Sequence, residues 1–210
     1  MIHHDVLIVG SGVMGVALAS SINSDELSVG IIESNPQPSL SRRHLSINQK
    51  SLNFLKDLDV WKEIEPNAYP YQKIKVWDQE GSGYIEFDSQ EAGIDLLGHI
   101  VSEGQIQKSL IKKLETKTVS FYWNNKLLDI KNNTSDIICT TSNDQISCKF
   151  LIGCDGINSS VRDLGKFKSR SWSYNQTAIV ANLKSPNIDS TIRQTFTKIG
   201  PLAPVSYTHL

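Results

Sequence analysis

The sequence lacks most of the features that would place it quickly in a class. It has three Cys and no C-x-x-C spacing, so neither a thiolate metal site nor a disulfide framework is legible, and a reducing cytoplasm is expected. No apolar run approaches the roughly 20 residues of a membrane span, which points to a soluble or peripherally bound protein. Excess positive charge is missing as well. Lys and Arg number 21 against 22 Asp and Glu, which gives no electrostatic case for nucleic acid. Of five His, His3 and His4 are terminal and the rest are scattered without metal-ligand spacing. There is no G-x-S-x-G, H-E-x-x-H or P-loop, and no repeat or low-complexity tract. At 210 residues the chain can still bury a real core, as one domain or one and a half.

What is present concentrates near the start. Val6 to Val9 is an apolar run of buried-strand type, stopped by Gly10. Gly10, Gly12 and Gly15 form G-x-G-x-x-G where a strand should turn into a helix. The first Gly allows a tight turn, the second lets backbone approach a pyrophosphate, and the third lets the helix pack against the strand. Val13 to Ile22 is the expected helix, its N-terminal amides facing the phosphates. Val29 to Ile32 makes a second strand ending at Glu33, eighteen residues past Gly15, where a dinucleotide fold needs an acceptor for ribose hydroxyls. A signal peptide ending near Leu18-Ala19-Ser20 is the rival. Asp5 at the front, no Lys or Arg before it, and glycines through the middle argue against that.

Ser34 to Ser41 reads as a loop, followed by Arg42 and Arg43, which are either an exposed basic pair or a charge held near a bound group. Leu52, Leu55 and Leu58 recur at helical spacing, with Trp61 and Ile64 beyond. Lys73 to Asp88 alternates around Gly81-Ser82-Gly83, a hairpin signature, with Trp77 and Phe87 facing a second layer. Leu96 to Val101 leads into a helix carrying Ile106, Leu110, Ile111 and Leu114 on one face. Val119 to Trp123 and Lys126 to Ile130 flank a turn at Asn124-Asn125. A two-residue turn at Asn143-Asp144 would set Ile137 opposite Phe150, Cys139 opposite Cys148 and Thr141 opposite Ile146. Those two Cys would be near enough to cross-link, but in a cytoplasmic protein they read as small buried side chains.

Phe150 to Gly153 is another apolar strand, running into Cys154-Asp155-Gly156-Ile157-Asn158-Ser159-Ser160-Val161-Arg162. Asp-Gly there is a turn and Ser159 a helix cap. The Asp at this strand end also suits ribose or the ordering of nearby backbone, with Arg162 one turn on as its anchor. Tyr174 to Leu183 and Thr191 to Thr197 read as strands joined by the polar turn Lys184 to Ser190, and Gly200-Pro201 then breaks the chain.

Over residues 5–204 this pattern resembles the class A flavoprotein monooxygenases, and most closely the aromatic-ring hydroxylases of ubiquinone biosynthesis. Gly10, Gly12, Gly15 and Glu33 match the family's FAD fingerprint, with Glu33 on the adenosine ribose. Arg43, in Arg-His-Leu-Ser-Ile-Asn, matches the Arg that approaches the flavin. Asp155, Gly156, Ser159 and Arg162 match D-G-x-x-S-x-x-R, linked to both FAD and NAD(P)H. Leu97 to Val101, Gln176 to Asn182 and Gly200 to Ala203 look like segments of the ubiquinone branch. Ser102-Glu103-Gly104 departs from the usual Glu-Asn-Arg. The family is also nearly twice as long, and its later G-D motif is absent here.

The resemblance implies an α/β, Rossmann-like FAD/NAD(P)-binding fold with an inserted β-sheet substrate lobe, the C-terminal half missing. Expected segments are a FAD-binding stretch over 1–70, a substrate-lobe hairpin over 71–97, a return to the FAD domain over 98–170, and substrate-lobe strands over 171–204. Residues 205–210 are expected to be a non-native or truncated tail. The implied activity is FAD-dependent, NAD(P)H-using hydroxylation of a polyprenylphenol with O2, with contact to a membrane surface or a biosynthetic complex and a cytoplasmic or inner-membrane-peripheral location. Glu33 repels a 2′-phosphate, so its site suits FAD or NAD over NADP. No catalytic residue is identifiable. The alternatives are another flavoenzyme of this fold (a phenol hydroxylase, an epoxidase or a polyprenyl reductase) or a non-catalytic dinucleotide-fold binding protein.

Overall fold

In chain order the elements begin with β1 (Ile2–Val9), α1 (Val13–Ser21), β2 (Val29–Ile32), β3 (His44–Asn48), α2 (Gln49–Asp57), α3 (Trp61–Ile64), β4 (Tyr69–Tyr71), β5 (Lys73–Asp78) and β6 (Tyr84–Asp88). They continue with β7 (Gly98–Ser102), α4 (Glu103–Leu114), β8 (Val119–Tyr122), β9 (Leu127–Asn132), β10 (Ile137–Thr141), β11 (Gln145–Gly153), α5 (Ser160–Leu164), β12 (Thr191–Thr197) and β13 (Gly200–Leu202). This computed structural model describes residues 1–36, 38, 41, 43–185 and 189–206. The chain divides into two units, Met1–Leu40 with Gln107–Ala178, and Ser41–Ile106 with Ile179–Leu210.

The first unit is built on a six-stranded sheet of order β8-β2-β1-β11-β10-β9. The strands from β8 to β11 are parallel, and β10 and β9 continue the sheet antiparallel. A parallel sheet is covered on both faces, which is why β2 is buried at all four positions and β1 at Val6 to Val9. Leu7, Ile8 and Ile31 are wholly buried, each stabilising the fold by roughly 1.5–3 kcal/mol. Helix α1 buries Val16 and Ala19, and α4 buries Leu110, Ile111 and Leu114, the apolar stripe expected from its spacing. Register then positions the site. Val9 lies beside Ile32 on one side and Gly153 on the other, so β1, β2 and β11 end level with one another. Their C-terminal ends are where open α/β sheets bind ligands.

The β10–β11 hairpin corrects the sequence expectation. Ile137 pairs with Cys148 and Cys139 with Ile146, two residues away from the expected register. The turn is Ser142-Asn143, closed by Thr141 N–H donating to the Asp144 carbonyl at 2.9 Å. Hydrogen bonds to residues 124–126 place it there: Ser142 N–H donates to the Lys126 carbonyl, and Asn125 Nδ2 to Asp144. A shift of two keeps every side chain on its face, so Cys139 and Cys148 are both buried as expected, but diagonal instead of opposed, and free.

The second unit holds a three-stranded sheet, β3-β7-β4, and a four-stranded sheet, β13-β12-β5-β6. Tyr69, Tyr71 and Ile100 form a small core in the former, against which Ile74, Leu97 and Ile192 pack. The β5–β6 hairpin forms around Gly81 to Gly83 as expected. Trp77 pairs with Tyr84 and Phe87 with Ile74, however, so the two aromatics point to opposite faces and do not share a layer. The expected strand over Tyr174 to Leu183 does not form. Ile179, Val180 and Leu183 are largely exposed there, and an apolar run makes a strand only when a neighbour's backbone and a buried face receive it. Gly200-Pro201 does not end the structure either: it starts β13, which pairs antiparallel with β12. Arg42, residues 186–188 of the Lys184 to Ser190 turn, parts of the Ser34 to Ser41 loop and residues 207–210 of the tail lie outside the described residues.

Candidate functional site

At the end of β1 the chain turns through Gly10, whose φ of +103° L side chains rarely adopt. A Cβ there would lie 2.5 Å from the Cys154 carbonyl oxygen, while the Gly10 amide donates to the Ile32 carbonyl at 2.8 Å. A Cβ on Gly15 would sit 2.0 Å from the Gly10 carbonyl oxygen, so α1 can approach the bend only with glycine there. Gly12 is the opposite case: its Cβ would meet nothing within 4 Å. It caps α1 without any side-chain hydrogen bond, which leaves the amides of the first turn for something else.

Glu33 lies against this bend. Its Oε2 accepts from Ser11 N–H at 2.9 Å and from the Ser11 hydroxyl at 2.8 Å. Its Oε1 accepts from Asn35 N–H, Asn35 Nδ2 and the Ser34 hydroxyl at 2.9, 2.8 and 3.2 Å. Burial works to raise this carboxyl, but the bonds from Asn35 and Ser11 outweigh it and hold Glu33 below the ordinary glutamate range. Five donors meet about four lone-pair sites, so ribose hydroxyls can bind Glu33 only by displacing some of them.

Asp155 follows β11 and organises the loop after it. Its carboxylate accepts from the Ser159 hydroxyl at 2.6 Å and from the Ser160 and Val161 amides, and Ser159 in turn caps α5 by accepting from Arg162 N–H. Gly156 turns between them at φ +81°. The expected Arg162 anchor is absent. Its Nε bonds Asp163 and its Nη1 the Ile157 carbonyl, because the backbone amides of α5 already take the Asp155 oxygens. In the second unit, Arg43 makes a two-pronged pair with Glu103, Nε to Oε2 and Nη2 to Oε1, both 2.9 Å. The Glu103 amide also donates to the Arg43 carbonyl.

Gly10, Gly12, Glu33, Asp155 and Gly156 therefore line one cavity of about 390 Å³, with Gly15 packed beneath it. Three contributors escaped the sequence reading. Gln107 donates from Nε2 to the Ser11 carbonyl at 2.8 Å, locking the bend from α4, and its signal was a lone polar residue on an apolar helix face. Asn125, nearly fully buried, and Lys126 line the same cavity, and their Asn-Asn-Lys turn gave no such signal. No helix among the described residues is long and apolar enough to cross a membrane.

A family model described as FAD binding domain matches residues 3–204. The chain belongs to this family of FAD-binding flavoprotein monooxygenases. The family's α/β fold is also found in PqsL of Pseudomonas aeruginosa, 17% identical with a TM-score of 0.70 over 91% of this chain and 54% of that one. The p-nitrophenol 4-monooxygenase PnpA of Pseudomonas putida DLL-E4 is 20% identical, with a TM-score of 0.69 over 78% of this chain and 44% of that one. Among curated relatives, 3-demethoxyubiquinol 3-hydroxylase of Escherichia coli (strain K12) is 29% identical over 95% of this chain and 53% of its own length. The mitochondrial ubiquinone biosynthesis monooxygenase COQ6 of Xenopus tropicalis is 30% identical over 98% and 50%. The chain thus spans about half the length of the curated relatives it matches.

The residues present fit FAD. The space above Gly12 is open, the first turn of α1 is uncapped, and the cavity runs from there to a carboxylate at the neighbouring strand end.

Proposed function

We propose that this chain acts in an FAD-dependent monooxygenase that uses NAD(P)H and O2 to hydroxylate the aromatic ring of a polyprenylphenol in ubiquinone biosynthesis. The observation that carries the reading is the likeness along 95–98% of the chain to two hydroxylating enzymes whose names place them on ubiquinone or its precursors. Bound FAD supplies the redox chemistry and the activation of O2. The residues supply the placement. The α1 amides beyond Gly12 take the diphosphate, and Glu33 takes the adenosine ribose in exchange for the exposed donors Ser34 and Asn35. Glu33 opposes a 2′-phosphate, so NADPH is disfavoured as the resident group at this site and the site suits FAD or NAD. Asp155 holds the Gly156 to Val161 backbone at the cavity wall. Arg43, oriented by Glu103, is the candidate for charge near the flavin.

For the substrate, the four-stranded sheet offers an apolar face. Ile85, Phe87 and Phe196 are about half exposed on it, whereas Lys73–Asp88 and Lys75–Glu86 ion pairs occupy the other face. Such a face suits a prenylated ring. Product analysis with polyprenylphenols, NAD(P)H and O2 tests the reading. Ring hydroxylation supports it. FAD binding with NAD(P)H oxidation but no ring hydroxylation overturns the substrate assignment, and failure to bind FAD overturns the cofactor assignment.

A further inference from the structure

Glu33, Asp155 and Lys126 are the charged residues lining the cavity at the strand ends, and among the described residues only Lys126 has no partner for its charge. Glu33 and Asp155 are met by hydrogen bonds from Ser11, Ser34, Asn35, Ser159 and the α5 amides. Among the described residues Lys126 is the only cationic one on this wall, and its ammonium pairs with none of them. Its root is fixed all the same. Asn124 and Asn125 amides donate to the Asn35 and Glu33 carbonyls at 2.9 and 2.8 Å, and Lys126 exchanges bonds with Ser142 through its amide and carbonyl. A flexible four-carbon stem on a fixed root at a cavity edge is free to follow an anion inside.

We propose that Lys126 is a phosphate-binding residue of this cavity, pairing with a phosphate of the adenine-nucleotide part of the cofactor. The inference rests on the cofactor reading above. Without Lys126 a phosphate entering between Glu33 and Asp155 would meet two negative groups and only the partial charge of the α1 N-terminus. With it, one of those charges is offset on the same wall. An exposed ion pair of this kind is modest, so its loss weakens binding about fivefold.

The test is calorimetric titration of the 210-residue chain and its Lys126→Gln and Lys126→Arg variants with ADP and with adenosine, at low and at physiological salt. The side chain is exposed, so thermal midpoints should match. The expected result is ADP bound about fivefold more weakly by Lys126→Gln, adenosine bound equally, a shallower salt dependence for ADP, and recovery in Lys126→Arg. Unchanged ADP affinity in Lys126→Gln, or an equal loss for adenosine, overturns the inference while leaving the cofactor reading intact. A wild-type chain that takes no ADP overturns the cofactor reading, and this one with it.

Discussion

The ends of β1, β2 and β11 and the four-stranded sheet of the second unit use their side chains in opposite ways. At the strand ends nearly every polar group is engaged: Glu33 by five donors, Asp155 by three, the Ser11 carbonyl by Gln107. On the sheet, Ile85, Phe87 and Phe196 stand about half in solvent, and beyond Ala178 an apolar stretch has no strand to join. The first region is ordered by itself before anything binds, which lowers the entropy lost on binding. The second shows apolar surface that only an added layer can bury. Geometry at the strand ends is therefore set by short contacts and saturated carboxylates, whereas the sheet face tolerates change.

The largest break in that contrast should come from Gly15→Val. Its Cβ would collide with the Gly10 carbonyl, and overpacking against backbone is expected to cost about 3 kcal/mol or more, read as a collapse of the denaturation midpoint. Glu33→Gln should follow. An amide nitrogen would face donors that now meet an oxygen, at a cost of about 1–3 kcal/mol in urea unfolding. The same carboxylate carries a pH signature. Because folding lowers its pKa, its contribution is complete above the ordinary glutamate range and is lost as pH falls through the depressed folded value. Acid titrations of wild type and Glu33→Gln should therefore converge at low pH, and parallel curves would contradict the assignment. Asp155→Asn should cost about 1 kcal/mol by loosening the start of α5. Phe87→Ser, out on the sheet, should stay within about 0.5 kcal/mol of wild type.

The same contrast explains what could be read in advance. β1, α1, β2 and Glu33 were legible because strand, glycines, helix and acid form one local pattern, each part implying the next. The Lys73 to Asp88 hairpin and the α4 stripe were legible for the same reason. The β10–β11 register was not, since bonds from a distant turn at 124–126 moved it by two. Spacing alone puts Arg162 within reach of Asp155, but the local α5 amides are better placed. Strand β4, Tyr-Pro-Tyr, was invisible to periodicity because it is three residues long and carries a proline. Tyr174 to Leu183 failed for a different reason: its pattern is strand-like, but a strand needs a neighbour that no local pattern supplies.

The central claim is that the space above Gly12 exists for a diphosphate and not for packing. Titrating FAD into the wild-type chain and into Gly12→Val, with urea unfolding alongside, tests it most directly. A side chain there meets nothing within 4 Å, so stability should stay within about 1 kcal/mol while FAD affinity falls at least tenfold, roughly 1.4 kcal/mol or more. Equal FAD affinity in the two proteins would contradict the account.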